Sequence, residues 1–135
     1  WDIRPFLKHG YPTLYYQFLA NISHAGYSDL IVPFPNTSSN AAHWLVRQNL
    51  PADMVYVDAS HEEDDVYRDL TDYWKILRPG GVMAGDDWHT RWIGVICAVN
   101  RFAREKNLSI RVSGQQWLIR KPGRSNTTPI ASPGT

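Results

Sequence analysis

The groups best suited to proton transfer or cation binding fall in two short stretches. Asp58 and His61 lie in Tyr56-Val57-Asp58-Ala59-Ser60-His61, and Asp86 and Asp87 lie in Gly85-Asp86-Asp87-Trp88-His89. Carboxylates bind cations and orient donors, and an imidazole titrates near neutral pH. Each group also has a plainer reading: a helix cap for Asp58, a solvated turn for Asp86-Asp87 and an exposed first-turn residue for His61.

The flanking residues explain how the two stretches could meet. Met54-Val55-Tyr56-Val57 is apolar without alternation, the pattern of a strand covered on both faces in a parallel sheet. Ser60 with Glu63 forms a capping-box pattern, and Val66, Leu70, Tyr73, Trp74 and Leu77 follow at helical spacing. Arg78-Pro79-Gly80-Gly81 stops that helix, and Val82-Met83-Ala84 is a second apolar strand ending at Asp86-Asp87. A right-handed strand, helix, strand crossover makes neighbours of the two strands, and neighbours lie about 4.8 Å apart. Asp58, Asp86 and Asp87 could then meet around one ion or ligand at the carboxyl ends of the strands, where open α/β sheets bind their ligands.

The 135 residues suit one domain of modest size, and 14 basic against 13 acidic residues leave no electrostatic footprint for nucleic acid. Cys97 is the single cysteine, so no intrachain disulfide forms; its apolar run reads as a buried structural thiol. No apolar run reaches the length of a membrane span and no leader is visible, so the expected location is cytoplasmic, without a membrane partner. The start at Trp1 points to a fragment or a processed product. Six Trp and seven Tyr suit a core, an interface or a ligand pocket equally.

Residues 1–10 read as a loop. A helix is expected from Pro12, with Tyr15, Phe18, Leu19 and Ile22 on one face and Gly26 as its stop. Leu30-Ile31-Val32-Pro33-Phe34 reads as a strand near an edge, because Pro33 cannot donate to a ladder. Asn36-Thr37-Ser38-Ser39 caps a helix that ends at Leu50-Pro51. Another helix runs from about Thr90, with Trp92, Val95, Ile96, Val99 and Phe102 on one face. Ser109–Val112 and Trp117–Arg120 alternate around Gly114, the signal of an antiparallel hairpin. The domain is expected to span 1–121, with a flexible tail over 122–135.

This order, with Tyr56-Val57-Asp58-Ala59-Ser60-His61, Leu77-Arg78-Pro79-Gly80-Gly81-Val82 and Gly85-Asp86-Asp87-Trp88, resembles class I S-adenosylmethionine-dependent methyltransferases. Within them it is most similar to macrocin O-methyltransferase-like enzymes and cephalosporin hydroxylase-type proteins, over roughly residues 14–121. The resemblance implies an α/β, Rossmann-like sheet with helices on both faces, closed by an antiparallel hairpin. It also implies that the first two strands of the family fold are missing, together with their Gly-rich loop and ribose-binding acid. It assigns Mg²⁺ to Asp58, Asp86 and Asp87, the catalytic base to His61, and cofactor contacts to Thr37, Ser38 and Asp58. Trp88 and His89 are candidates for stacking on a substrate ring.

The implied activity is methyl transfer from S-adenosylmethionine to a hydroxyl of a small-molecule acceptor, assisted by Mg²⁺. The alternatives are a truncated, non-catalytic binding or assembly module and a hydroxylase-type relative using the same ligands. A missing first strand would leave the Met54 strand as an edge, so self-association or pairing with a missing N-terminal segment is expected.

Overall fold

The computed structural model describes Asp2 and residues 4–123, and the expected tail lies from residue 124 onward outside the described residues. The chain clusters into two compact units, Trp1–Asn36 and Thr37–Thr135.

In the first unit, strands β1 (Leu7–Lys8) and β2 (Tyr11–Pro12) form a small antiparallel hairpin where a loop was expected. Its turn has left-handed backbone at both His9 and Gly10, the pattern of a two-residue hairpin turn. Pro12 therefore ends a strand, and helix α1 spans Leu14–His24. The expected strand at Leu30–Phe34 does not form. The Leu30 and Ile31 amides turn back onto the Tyr27 carbonyl, and Leu30 and Val32 are 78% and 85% exposed. A strand exists only by pairing, and Pro33 and Pro35 remove two donors from this segment.

The second unit carries the sheet. Its strands are β3 (Ala52–Val57), β4 (Leu77–Gly85), β5 (Ile110–Ser113) and β6 (Gln116–Arg120), in the order β3-β4-β6-β5. The expected neighbours β3 and β4 run parallel, with Met54 opposite Val82 and Val57 opposite Gly85. The hairpin closes the sheet by pairing β6 antiparallel to β4. The register shifts between Ala52 and Met54, so Arg78–Gly81 bulges out of β4 and tolerates Pro79 there.

Helices α2 (Ser38–Arg47), α3 (Glu63–Ile76) and α4 (Ile93–Glu105) complete the unit, with α2 and α4 packed on α3. Three acids open α3 and Lys75 lies in its last turn, matching the helix dipole. Val66 and Leu70 of α3 and Val99 and Phe102 of α4 pack against Val55, Met83, Trp117 and Ile119 of the sheet. Each fully buried side chain of this size contributes about 1.5–3 kcal/mol.

The expectation of cover on both faces fails within this unit. Met54 and Tyr56, which alternate with the buried Val55, remain 58% and 46% exposed. An unbroken apolar run marks a strand able to be covered twice, and these helices supply one cover only.

Asp69 of α3 is buried at 6% exposure. Burial raises its pKa, and a hydrogen bond with Ser38 offsets part of the rise. A carboxyl with a raised folded-state pKa binds its proton more tightly in the native state, so stability falls as pH rises through that range. Asp69→Asn keeps an acceptor for Ser38 and cannot ionise. Its stability relative to the parent, from urea denaturation, is expected to grow as pH rises from about 4 to about 7.

Candidate active site

The parallel ladder places Asp58, after β3, beside Asp86 and Asp87, after β4. All three border one cavity of about 10 Å³, together with Ser60 and Trp117. The local backbone is held firmly. The Asp86 carbonyl accepts from the Trp117 indole at 3.1 Å, and Asp86 Oδ1 accepts from the Asp87 amide at 2.9 Å. The Trp88 amide donates to the Gln115 carbonyl at 2.8 Å.

Asp87 has φ +65°, a left-handed conformation uncommon for residues other than glycine. Its carboxylate faces His61, with Nε2 and Oδ2 2.9 Å apart and both side chains part-buried. The His61 ring stacks on Trp92, with centroids 3.9 Å apart and planes 14° apart. His61 is thus fixed on an edge by a carboxylate and on a face by an indole.

Ser60 does not form the expected capping box. Glu62 is the α3 N-cap, while Ser60 Oγ accepts from the Glu62 amide and donates to Asp65. The box needs the acid three positions after the cap in helical register, and the turn Asp58–His61 moves the helix start two residues on.

The carboxylates also fall short of the expected ion site. Among the described residues no group of three or more His, Cys, Asp or Glu side chains is arranged to hold a metal ion. Three carboxylates have the right chemistry for a hard cation. Here one oxygen of Asp87 faces His61 and one of Asp86 accepts from an amide, and the space between the acids admits about one water.

Thr37 caps α2, its Oγ1 accepting from the Asn40 amide at 3.3 Å. Ser38 and Asp58 line a separate cavity of about 130 Å³ with Tyr56, Asp69 and Tyr73. The Tyr73 hydroxyl donates to the Ser38 carbonyl at 3.0 Å. This volume suits one ring or a short polar group, not a drug-sized ligand.

His89 caps the 3-10 turn Thr90–Trp92 by accepting from the Arg91 amide, and Trp88 packs against the core. Trp92, read from its spacing as core, is the aromatic that contacts the site. Tyr56 also reaches it, with a hydroxyl pKa raised first by desolvation and then by Asp86. No spacing rule flags either residue. Cys97, expected to be buried, is half-buried on α4.

A family model described as a methyltransferase domain matches residues 2–88, nearly two thirds of the chain. The chain belongs to this methyltransferase family. Among solved structures it is similar to an O-methyltransferase family protein from Burkholderia thailandensis, with TM-score 0.56 and 13% identity over 84% of this chain and 42% of that one. A second similar structure is MycE methyltransferase from the mycinamycin biosynthetic pathway, in complex with Mg, SAH and mycinamycin VI. It aligns with TM-score 0.49 and 18% identity over 73% of this chain and 34% of that one. No curated protein matches. The methyltransferase fold is Rossmann-like, and the chain spans less than half the length of either solved structure. Among its described residues no helix is long and apolar enough to cross a membrane.

Gly94 of α4 sets the position of His61. A Cβ there would collide with the His61 carbonyl and lie 2.8 Å from the Glu63 amide, both backbone atoms. Gly94→Ala is expected to destabilise the fold by about 1–3 kcal/mol. It should also separate His61 from Trp92, read as loss of the ring-current shift on the His61 protons by NMR.

Proposed function

We propose that the chain provides the acceptor-side half of an O-methyltransferase that uses S-adenosylmethionine to methylate a hydroxyl of a small molecule. The observation that carries this reading is the His61–Asp87 pair at the carboxyl ends of two adjacent parallel strands, in a chain of the methyltransferase family.

S-adenosylmethionine supplies an electrophilic methyl group when bound. The hydroxyl that accepts it must lose a proton as the carbon–oxygen bond forms. With Asp87 ionised, its Oδ2 accepts the Nε2 hydrogen of His61 at 2.9 Å, which leaves Nδ1 as the proton acceptor. The carboxylate then stabilises the imidazolium, and stacking on Trp92 keeps the ring in plane. Ser38 and Asp58, sharing one cavity, are the chain's own candidates for cofactor contact, and Thr37 supports them as the α2 cap.

Mg²⁺ assistance is a finer part of the proposal. Ion binding by Asp58, Asp86 and Asp87 would use the second oxygen of Asp87, Oδ1, with Oδ2 still facing His61. A second finer part concerns assembly. β3 is the edge of the sheet, and its exposed face suits an added strand from a separate segment or a second copy.

In an enzyme containing this domain, His61→Ala is expected to lower kcat about 10²–10⁴-fold with little change in the KM for S-adenosylmethionine. Asp87→Asn should also lower kcat and shift its pH profile. Unchanged kcat in His61→Ala would remove His61 from the reaction.

A further inference from the structure

A further cavity of the second unit lies at the opposite end of the strands from His61. It is a cleft of about 780 Å³ between the carboxyl-terminal ends of α2 and α3 and the start of β4. One turn of polypeptide after another supplies apolar wall: Leu45, Val46 and Leu50 from α2 and its exit, and Ile76, Leu77 and Pro79 from the α3–β4 junction. The charged lining residues are Lys75, Arg78 and Lys121, and among the described residues no acid lines the cleft. A six-residue strand spans about 20 Å, so this cleft is separate from the site at Asp58 and Asp86.

The three cations differ. Lys75 pairs with Asp72 at 2.7 Å and Arg78 with Asp53 at 2.5 Å. Lys121 has no carboxylate among the ion pairs of the described residues. Its Nζ donates to the Trp74 and Leu77 carbonyls, each at 2.7 Å. These bonds cap the end of α3, which accounts for where the ammonium sits. They do not account for its charge, because an ammonium has three donors and carbonyls neutralise none of it. Burial lowers the Lys121 pKa, and Lys106 adds to the effect, as expected of a cation short of a counter-charge.

We propose that this cleft binds a small amphipathic carboxylate, with the anionic group at Lys121 and the apolar chain along Leu45, Val46, Leu50 and Ile76. Charge selects the occupant: a neutral apolar molecule would leave Lys121 uncompensated, and a hydrophilic anion would leave the apolar wall wet. The site is independent of the methyl-transfer reading.

Calorimetry and amide NMR on the whole chain, with decanoate and decanol as probes, test the proposal. Decanoate should bind saturably and at least about tenfold more tightly than decanol. Amide shifts should move at residues 45–51 and 75–79. Lys121→Met should weaken decanoate at least about tenfold. Because that change also removes an α3 cap, Val46→Asp serves as the second variant: it places an acid on a 43% exposed wall and should weaken decanoate similarly in a folded protein. Equal affinity for decanol, no saturable decanoate binding, a Val46→Asp variant that binds as the parent does, or shifts confined to Met54, Tyr56 and Leu118 on the open sheet face would overturn it.

Discussion

The parallel pairing of β3 with β4 is the contact on which the rest of the second unit depends. It brings two strand ends side by side, so residues 28 positions apart in sequence, Asp58 and Asp86, border one cavity. It also fixes the crossover helix α3 against the sheet, where Val66 and Leu70 meet Val55 and Met83. The hairpin completes the arrangement from the other side of β4, and its Trp117 both fills the core and donates to the Asp86 carbonyl. A loss of packing at Trp117 would therefore reach the site directly.

The same pairing leaves β3 with one neighbour. Backbone groups along an edge strand that do not pair must be met by water or by another chain. Met54 and Tyr56 add apolar surface to that edge. Stability of the unit thus rests on one covered face, while the other face leaves Met54 and Tyr56 exposed.

The elements legible in the sequence were those with strong periodicity and firm stops. The β3–α3–β4 unit, α4 and the closing hairpin have unbroken, helical or alternating apolar patterns bounded by Gly, Pro or charged turns, and all formed. The resemblance also anticipated the Rossmann-like fold. Leu30–Phe34 misled because strand propensity describes a surface suited to pairing and says nothing about whether a partner exists. The two-residue strands at Leu7 and Tyr11 are too short for any period to register. At the site, residue types identified His61 and the acids but not their pairing. Asp87 turns toward His61 through a left-handed backbone conformation, and Trp92 reaches the ring from a 3-10 turn, neither of which a helical or strand period encodes. That geometry pairs Asp87 with a histidine where the resemblance implied an ion.

As proposed, the chain supplies the His61–Asp87 pair for proton transfer and, with no Gly-x-Gly loop in its sequence, only part of a cofactor cradle. The direct measurement is calorimetry of S-adenosylhomocysteine against this chain alone, with light scattering on the same sample. The account predicts binding weaker than about 1 mM together with concentration-dependent self-association through the β3 edge. A dilute monomer that binds S-adenosylhomocysteine in the micromolar range would contradict it.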